Sequence, residues 1–249
     1  LMADSLALEL GLNIHGAALS SHIHADGYKK SISGPGAGNY LTVGKVFSEI
    51  KKHFGEDAMN KTFFHAHGTS TPQNRESESH IISSIAKACG IQSLPVTAIK
   101  SYLGHSLAAA GGDQMISSLG SWRNNLIPGI ASTPKLADNV YNENVNFLLE
   151  NLEFENNDYD FAVLNAKGFG GNNGTALVAS PSKAMQLLQS KYSKDQIKKY
   201  HSQKESVNSQ LLENKNRILK GDIQSRYIFG ENVIDGINDF EVESHQITN

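Results

Sequence analysis

The sequence holds 249 residues, 39% of them hydrophobic, with 22 basic against 25 acidic side chains and a formal net charge of -3. That is enough chain to bury a sizeable core, and the charge balance excludes a strong field for nucleic acid or an anionic membrane. A single cysteine, Cys89, excludes an internal disulfide and fits a reducing, cytoplasmic setting. No apolar run reaches the roughly 18 to 20 residues that a membrane-spanning helix needs.

The opening LMADSLALELG reads as a helix closed by Gly11, and as the inside of a domain, so a piece of a longer protein is the expectation. NIHGAALSSH has strand character and runs into a polar, glycine-bearing loop. YLTVGKVFSEIKKHFG follows as a helix with Leu41, Val46, Phe47, Ile50 and Phe54 on one face. Then come a strand, TFFHAH, a polar loop, a helix over SESHIISSIAKACG, and a strand, PVTAIKS. Another helix runs through LAAAGGDQMISSLGSWRN. NVNFLLE, DFAVLNAKGFGG and GTALVAS close the series as strands, the last two around a tight glycine turn. Strand and helix alternating in this way predict an α/β fold: a mixed, mainly parallel sheet between helices, with an antiparallel addition at its end.

Residues 181–249 differ in character. Glycine nearly vanishes, and Ile197, Tyr200, Lys204, Val207, Leu211, Asn214 and Ile218 follow at helical spacing until Gly221. This predicts a helical appendage packed on its own domain or on a partner. SRYIFGENVI reads as a short strand, and the acidic end as poorly ordered. The expected division is therefore 1–180 and 181–249.

Three polar clusters fall where strands of such a sheet end, the place where open α/β sheets collect ligand groups. In HAHGTSTPQNRESE, a helix capped by Ser or Thr, with Pro72 in its first turn and Glu76 and Glu78 near its positive end, explains the second half. His65 and His67 remain over. Two apart on a strand, they share a face, and a metal site is conceivable for them and for His22, His24 and Asp26. Neither group has a third ligand at suitable spacing, so no metal is assigned and packed or surface histidines stand as the plainer reading. In IKSYLGHSLAAAGG, a strand end supplies Lys100, and Gly104 and His105 open a helix whose small residues allow close backbone packing. A histidine at that helix end is biased toward its neutral form, a hydrogen-bond donor for an oxyanion. NAKGFGGNNG sets Phe169 among glycines between two strands.

In this order the three motifs resemble the C-terminal half of the β-ketoacyl-acyl-carrier-protein synthases, condensing enzymes of the thiolase superfamily. The resemblance covers residues 1–180 and is not found over the tail. It implies a thiolase-like fold and decarboxylative Claisen condensation of an acyl thioester with malonyl-acyl-carrier protein. It implies no bound cofactor, since phosphopantetheine arrives on the acyl carrier protein, and a homodimer in the full-length form. By that resemblance His67 and His105 hold the malonyl carbonyl and its enolate, Lys100 supports them through hydrogen bonds, and Glu78 ties into their network. Thr69 and Thr71 contact the pantetheine arm, and Phe169, followed by Gly170, gates the site and lends a backbone N–H to an oxyanion hole.

The sequence departs from the family pattern at Arg75 (usually Asp), Gln114 (commonly Glu), Ala108 (commonly Gly) and Lys167 (often Phe). The family's nucleophilic cysteine belongs to the N-terminal half. Cys89, near the end of an amphipathic helix, reads as a buried structural thiol. This chain alone is thus expected to be inactive, its nucleophile lying in a missing N-terminal half. A non-catalytic subunit of the chain-length-factor type is the alternative, disfavoured because such subunits often lose the histidine motifs. A thiolase ranks third, because NAKGFGGNNG lacks the second cysteine of thiolases.

Overall fold

The computed structural model describes residues 1–27, 36–222, 241–242 and 247–248. Helix α1 (Asp4–Glu9) leads to strand β1 (Ala17–Ala25), helix α2 (Ala37–Phe54) and the short α3 (Asp57–Asn60). Strand β2 (Thr62–His65), helix α4 (Pro72–Ala88), strand β3 (Leu94–Thr97) and the one-turn α5 (Lys100–Leu103) come next. A 3-10 turn at Leu107–Ala109 runs into α6 (Ala110–Asn124), followed by β4 (Leu126–Ile127), β5 (Val145–Phe147) and β6 (Leu152–Glu153). Strands β7 (Phe161–Gly168) and β8 (Asn172–Ala179) precede helices α7 (Pro181–Lys191) and α8 (Lys194–Leu219).

Among the described residues, six strands form one sheet in the order β1-β8-β7-β2-β3-β5. β7, β2, β3 and β5 run parallel, whereas β8 pairs antiparallel with both β7 and β1. This is the mixed sheet expected. Every residue of β2 and β3 is buried, as strands covered on both faces must be. On one face α2 and α4 press Val43, Val46, Phe47, Ile50, Ile81 and Ile82 against Phe64, Val96, Phe161 and Val163. On the other, Trp122 of α6 meets Phe63, Leu164 and Val178.

Local details correct the sequence reading. In α2 it is Val43 that faces the sheet, at a helical step from Phe47 and Ile50, while Leu41 points outward and is exposed. Helix α4 begins at Pro72, which the capping reading placed in its first turn, ahead of the SESHIISSIAKACG stretch. Its cap residue is Thr71, whose side chain makes no capping bond.

Helix α7 was not anticipated. It starts at Pro181 with Ser180 Oγ accepting from the Lys183 N–H, and α8 starts with a capping box between Ser193 and Gln196. The first half of α8 packs on α1 through a core of Leu8, Leu188 and Tyr200. The Tyr200 hydroxyl donates to the Leu12 carbonyl at 3.0 Å, and Asn13 Nδ2 to Asn208 Oδ1 at 2.8 Å. Gly11 has a φ of +62°, and a Cβ on it would lie 2.7 Å from the Gln203 backbone, so only glycine admits this crossing. Farther along α8 the expected stripe is unburied: Leu211 and Ile218 are exposed, as are their neighbours Leu212 and Leu219. The strand expected in SRYIFGENVI lies outside the described residues. Within the stretch expected to be poorly ordered, Glu241–Val242 pairs antiparallel with Ile247–Thr248. Among the described residues no helix is long and apolar enough to cross a membrane.

Candidate active site

The site forms where β2 stops. Gly68 turns the chain at a φ of +58°, and a Cβ there would lie 2.6 Å from Ala98 Cβ, so the loop hugs the end of β3. Glu78, buried on α4, holds this loop through its backbone. Its Oε1 accepts from the His67 N–H at 2.7 Å and its Oε2 from the Gly68 N–H at 3.0 Å. Asn74 Nδ2 and Asn165 Nδ2 donate to the same carboxylate at 2.9 and 2.7 Å. Burial pushes the Glu78 carboxyl up, yet the Lys167 charge and these donors, joined by His67 where its ring is protonated, hold it below its ordinary range. Asn165 continues the polar run to Asn39 of α2, and Thr175 and Thr42 complete it.

His67 and His105 share one device. Nδ1 of His67 accepts from the Lys167 N–H at 3.2 Å, and Nδ1 of His105 from the Leu107 N–H at 3.1 Å. A neutral imidazole whose Nδ1 is an acceptor carries its proton on Nε2. Each ring therefore offers one N–H donor, and the ring centroids lie 5.4 Å apart at an interplanar angle of 82°. Burial, with Lys100, His105 and Lys167 adding to it against Glu78, lowers the pKa of His67 to about 4. Burial and the Lys100 charge lower that of His105 as well. Both rings stay neutral at pH 7. His105 does not itself open α6, as the sequence implied; it precedes the 3-10 turn and caps that turn's first N–H with its ring.

The other expected residues fall into place unevenly. Lys100 opens α5 instead of ending a strand. Its Nζ is buried and makes no hydrogen bond among the described residues, so the anticipated bonds to the histidines are absent. Its influence is electrostatic, reaching His65, His67 and His105. Burial lowers the pKa of Lys100 itself, against the pull of Glu78 and Asp113. Thr69 is half-buried and Thr71 exposed on the loop. Phe169 is 75% exposed at the β7–β8 turn, where Gly170 takes a φ of +77°. Glu78 lies beyond the first turn of α4 and faces the loop, not the helix's positive end.

His65 is fully buried against Phe63, neither ring nitrogen has a partner among the described residues, and burial followed by Lys100 lowers its pKa to about 3. His22 pairs with Glu49 at 2.9 Å, and Asp26 Oδ1 accepts from the Gly38 N–H in the first turn of α2. Among the described residues no three His, Cys, Asp or Glu side chains are grouped to hold a metal ion. Cys89 follows the last turn of α4, and burial raises its thiol pKa against the Lys51 charge, the reverse of what a nucleophile needs.

Sequence reading passed over Asn165 and took Lys167 only as a departure. The two sit two and four residues beyond Val163 on the same buried face of β7, and polar residues at inward positions were the available signal. Gln114, taken only as a departure, donates through Nε2 to the Ala66 and Asn165 carbonyls at 3.0 and 2.9 Å, pinning α6 across β2 and β7.

Residues 15–133 match the family described as beta-ketoacyl synthase, C-terminal domain. The chain is 41% identical over all 249 residues to the β-ketoacyl-[acyl-carrier-protein] synthase FabY of Pseudomonas aeruginosa, of which it spans 39%. It carries the C-terminal domain of the β-ketoacyl synthases. A crystal structure of the P. aeruginosa ketosynthase FabY superposes with a TM-score of 0.85 at 41% identity, covering 99% of this chain and 38% of that one. The ishigamide ketosynthase/chain length factor, at 23% identity and a TM-score of 0.57 over 71% of this chain and 41% of that one, shares the fold. The likeness to FabY extends through residues 181–249, so the tail that broke the sequence resemblance is common to the two.

Proposed function

We propose that this chain supplies the decarboxylation and enolate-stabilising half of a β-ketoacyl synthase active site. The observation that carries the reading is the matched pair of imidazoles, each held at Nδ1 by a backbone N–H and each left with an Nε2 donor. A malonyl thioester carbonyl oxygen accepts from both donors. As the bond to the terminal carboxylate breaks, its electron pair moves into the thioester as an enolate, CO2 leaves, and the oxygen gains the charge that the donors face. The enolate carbon then attacks an acyl thioester, forming the new carbon–carbon bond and expelling the thiolate. Donors aimed at charge that appears only during reaction lower the barrier, and removing one costs roughly 10²- to 10³-fold in rate.

The raised thiol of Cys89 disqualifies it as the acyl carrier in this scheme. The nucleophile comes from the remainder of the synthase, and the outward face of α6 is where that remainder docks. Gly112, Ile116 and Gly120 lie four apart there; Ile116 is 71% exposed, and among the described residues nothing lies within 4 Å of a Cβ built on either glycine. Gly112, one of the small residues read as allowing close packing, thus meets no neighbour among the described residues. In this reading residues 1–180 are the thiolase-like half, 181–249 an extension of it, and the acyl carrier protein presents its pantetheine arm past Thr69, Thr71, Phe169 and Gly170. The full-length synthase dimerises and works in the cytoplasm.

The test is condensation of an acyl primer with malonyl-acyl-carrier protein by the full-length synthase carrying His67→Ala or His105→Ala. Each variant should lose roughly 10²-fold or more. Wild-type rates in either would overturn the reading.

A further inference from the structure

Lys167 stands where the resemblance leads one to expect an aromatic side chain, and it is 5% exposed. Its backbone and its side chain both face the site. Strand β7 pairs with β2 only as far as Leu164 opposite His65. Beyond that point β2 no longer pairs with β7, and the Lys167 N–H donates to the His67 ring at 3.2 Å. The side chain lies on the α4 face, where Nζ donates to the buried Ser77 Oγ at 3.2 Å, one residue before Glu78. An ammonium at this depth is costly unless compensated, and a buried carboxylate nearby is the natural counter-charge.

We propose that Lys167 is the positioning residue for His67: its main-chain N–H holds the ring with Nε2 as donor, and its ammonium, seated on Ser77 beside Glu78, keeps a second positive charge off that ring. The charged and titratable groups facing His67 are Glu78 from α4, Lys100 from α5, His105 from the following loop, and Lys167. Glu78 favours protonation of the ring and the other three oppose it. An aromatic side chain at position 167 would keep the N–H but leave Glu78 without this neighbouring cation, and the ring would take up a proton more readily.

The inference rests on His67 as the enolate donor, but its test reads the ring and not the reaction, so either can fail alone. In the 249-residue chain, nitrogen-15 imidazole spectra recorded across pH, with the His67 resonances assigned through His67→Gln, report both tautomer and midpoint. The wild-type ring should be the Nε2–H form at pH 7. Lys167→Met and Lys167→Gln should each raise the His67 midpoint by roughly half a unit or more, and Lys167→Arg should leave it low. A wild-type Nδ1–H tautomer, or a midpoint unmoved in a folded Met or Gln variant, overturns the proposal. Failure of both of those variants to fold while the Arg variant folds makes Lys167 a structural residue, which overturns it equally.

Discussion

The Glu78 carboxylate accepts from the main-chain N–H of His67 at 2.7 Å, so it grips the backbone that carries the ring and not the ring itself. With Gly68, Asn74 and Asn165 it gathers four donors in a buried place. Glu78→Ala leaves these donors unsatisfied and should destabilise the chain by about 3–5 kcal/mol, measured by urea unfolding. The carboxyl is held below its ordinary pKa, so its stabilisation is present above the unfolded value and is lost as pH falls through the folded one. A loss under about 1 kcal/mol would mean that the loop is held by something else.

His65 should act as an acid-side weakness. Its pKa falls from 6.5 to about 3 on folding, so the unfolded chain takes up a proton that the folded chain refuses. Stability is then full above pH 6.5 and declines as pH drops toward 3. His65→Phe removes two unpartnered buried nitrogens beside Phe63 and should flatten that decline, gaining about 1–3 kcal/mol near pH 5. Urea midpoints taken at several pH values give the answer, and an unchanged slope would show the ring to be solvated.

Condensation should tolerate acid better than an ordinary histidine allows. Both donors act as neutral rings, and His67 titrates only at about 4. Protonation of His67 should not slow the reaction between pH 7 and roughly 5, and should do so below that as Nδ1 takes a proton and loses the Lys167 contact. A fall in rate near pH 6.5 in the full-length synthase that coincides with titration of the His67 ring would contradict a buried, neutral His67.

Gly11→Ala tests the docking of the tail. The new methyl meets the Gln203 backbone, and the φ of +62° adds strain, so the α1–α8 crossing should open. Amides of residues 194–208 should then exchange faster with deuterium, while those of β2 and β7 keep their protection.

How much was legible follows from period and order. Apolar runs such as Phe63–Phe64 and Phe161–Leu164 gave away a sheet buried on both faces, and three glycine-marked clusters in order gave away the family. Leu41 is apolar but sits two residues from Val43, on the opposite side of the helix. Helix α7 was not legible because its stripe is short, and the start of α5 at Lys100 was not because strand endings are invisible to composition. The tautomers of His67 and His105 were out of reach. They depend on N–H groups from Lys167 and Leu107, and backbone groups carry no letter in a sequence.

The polar run from Thr42 and Asn39 through Asn165 to Glu78 also sets an order of events. Asn39 and Asn165 are 126 positions apart, and Glu78 and Asn165 are 87 apart. Closing such long loops is slow, so Glu78 should gain its Asn165 donor only once β7 has joined β2. The loop carrying His67 should therefore settle late, with the sheet and not ahead of it, and weakening its anchors should hasten unfolding more than it slows folding.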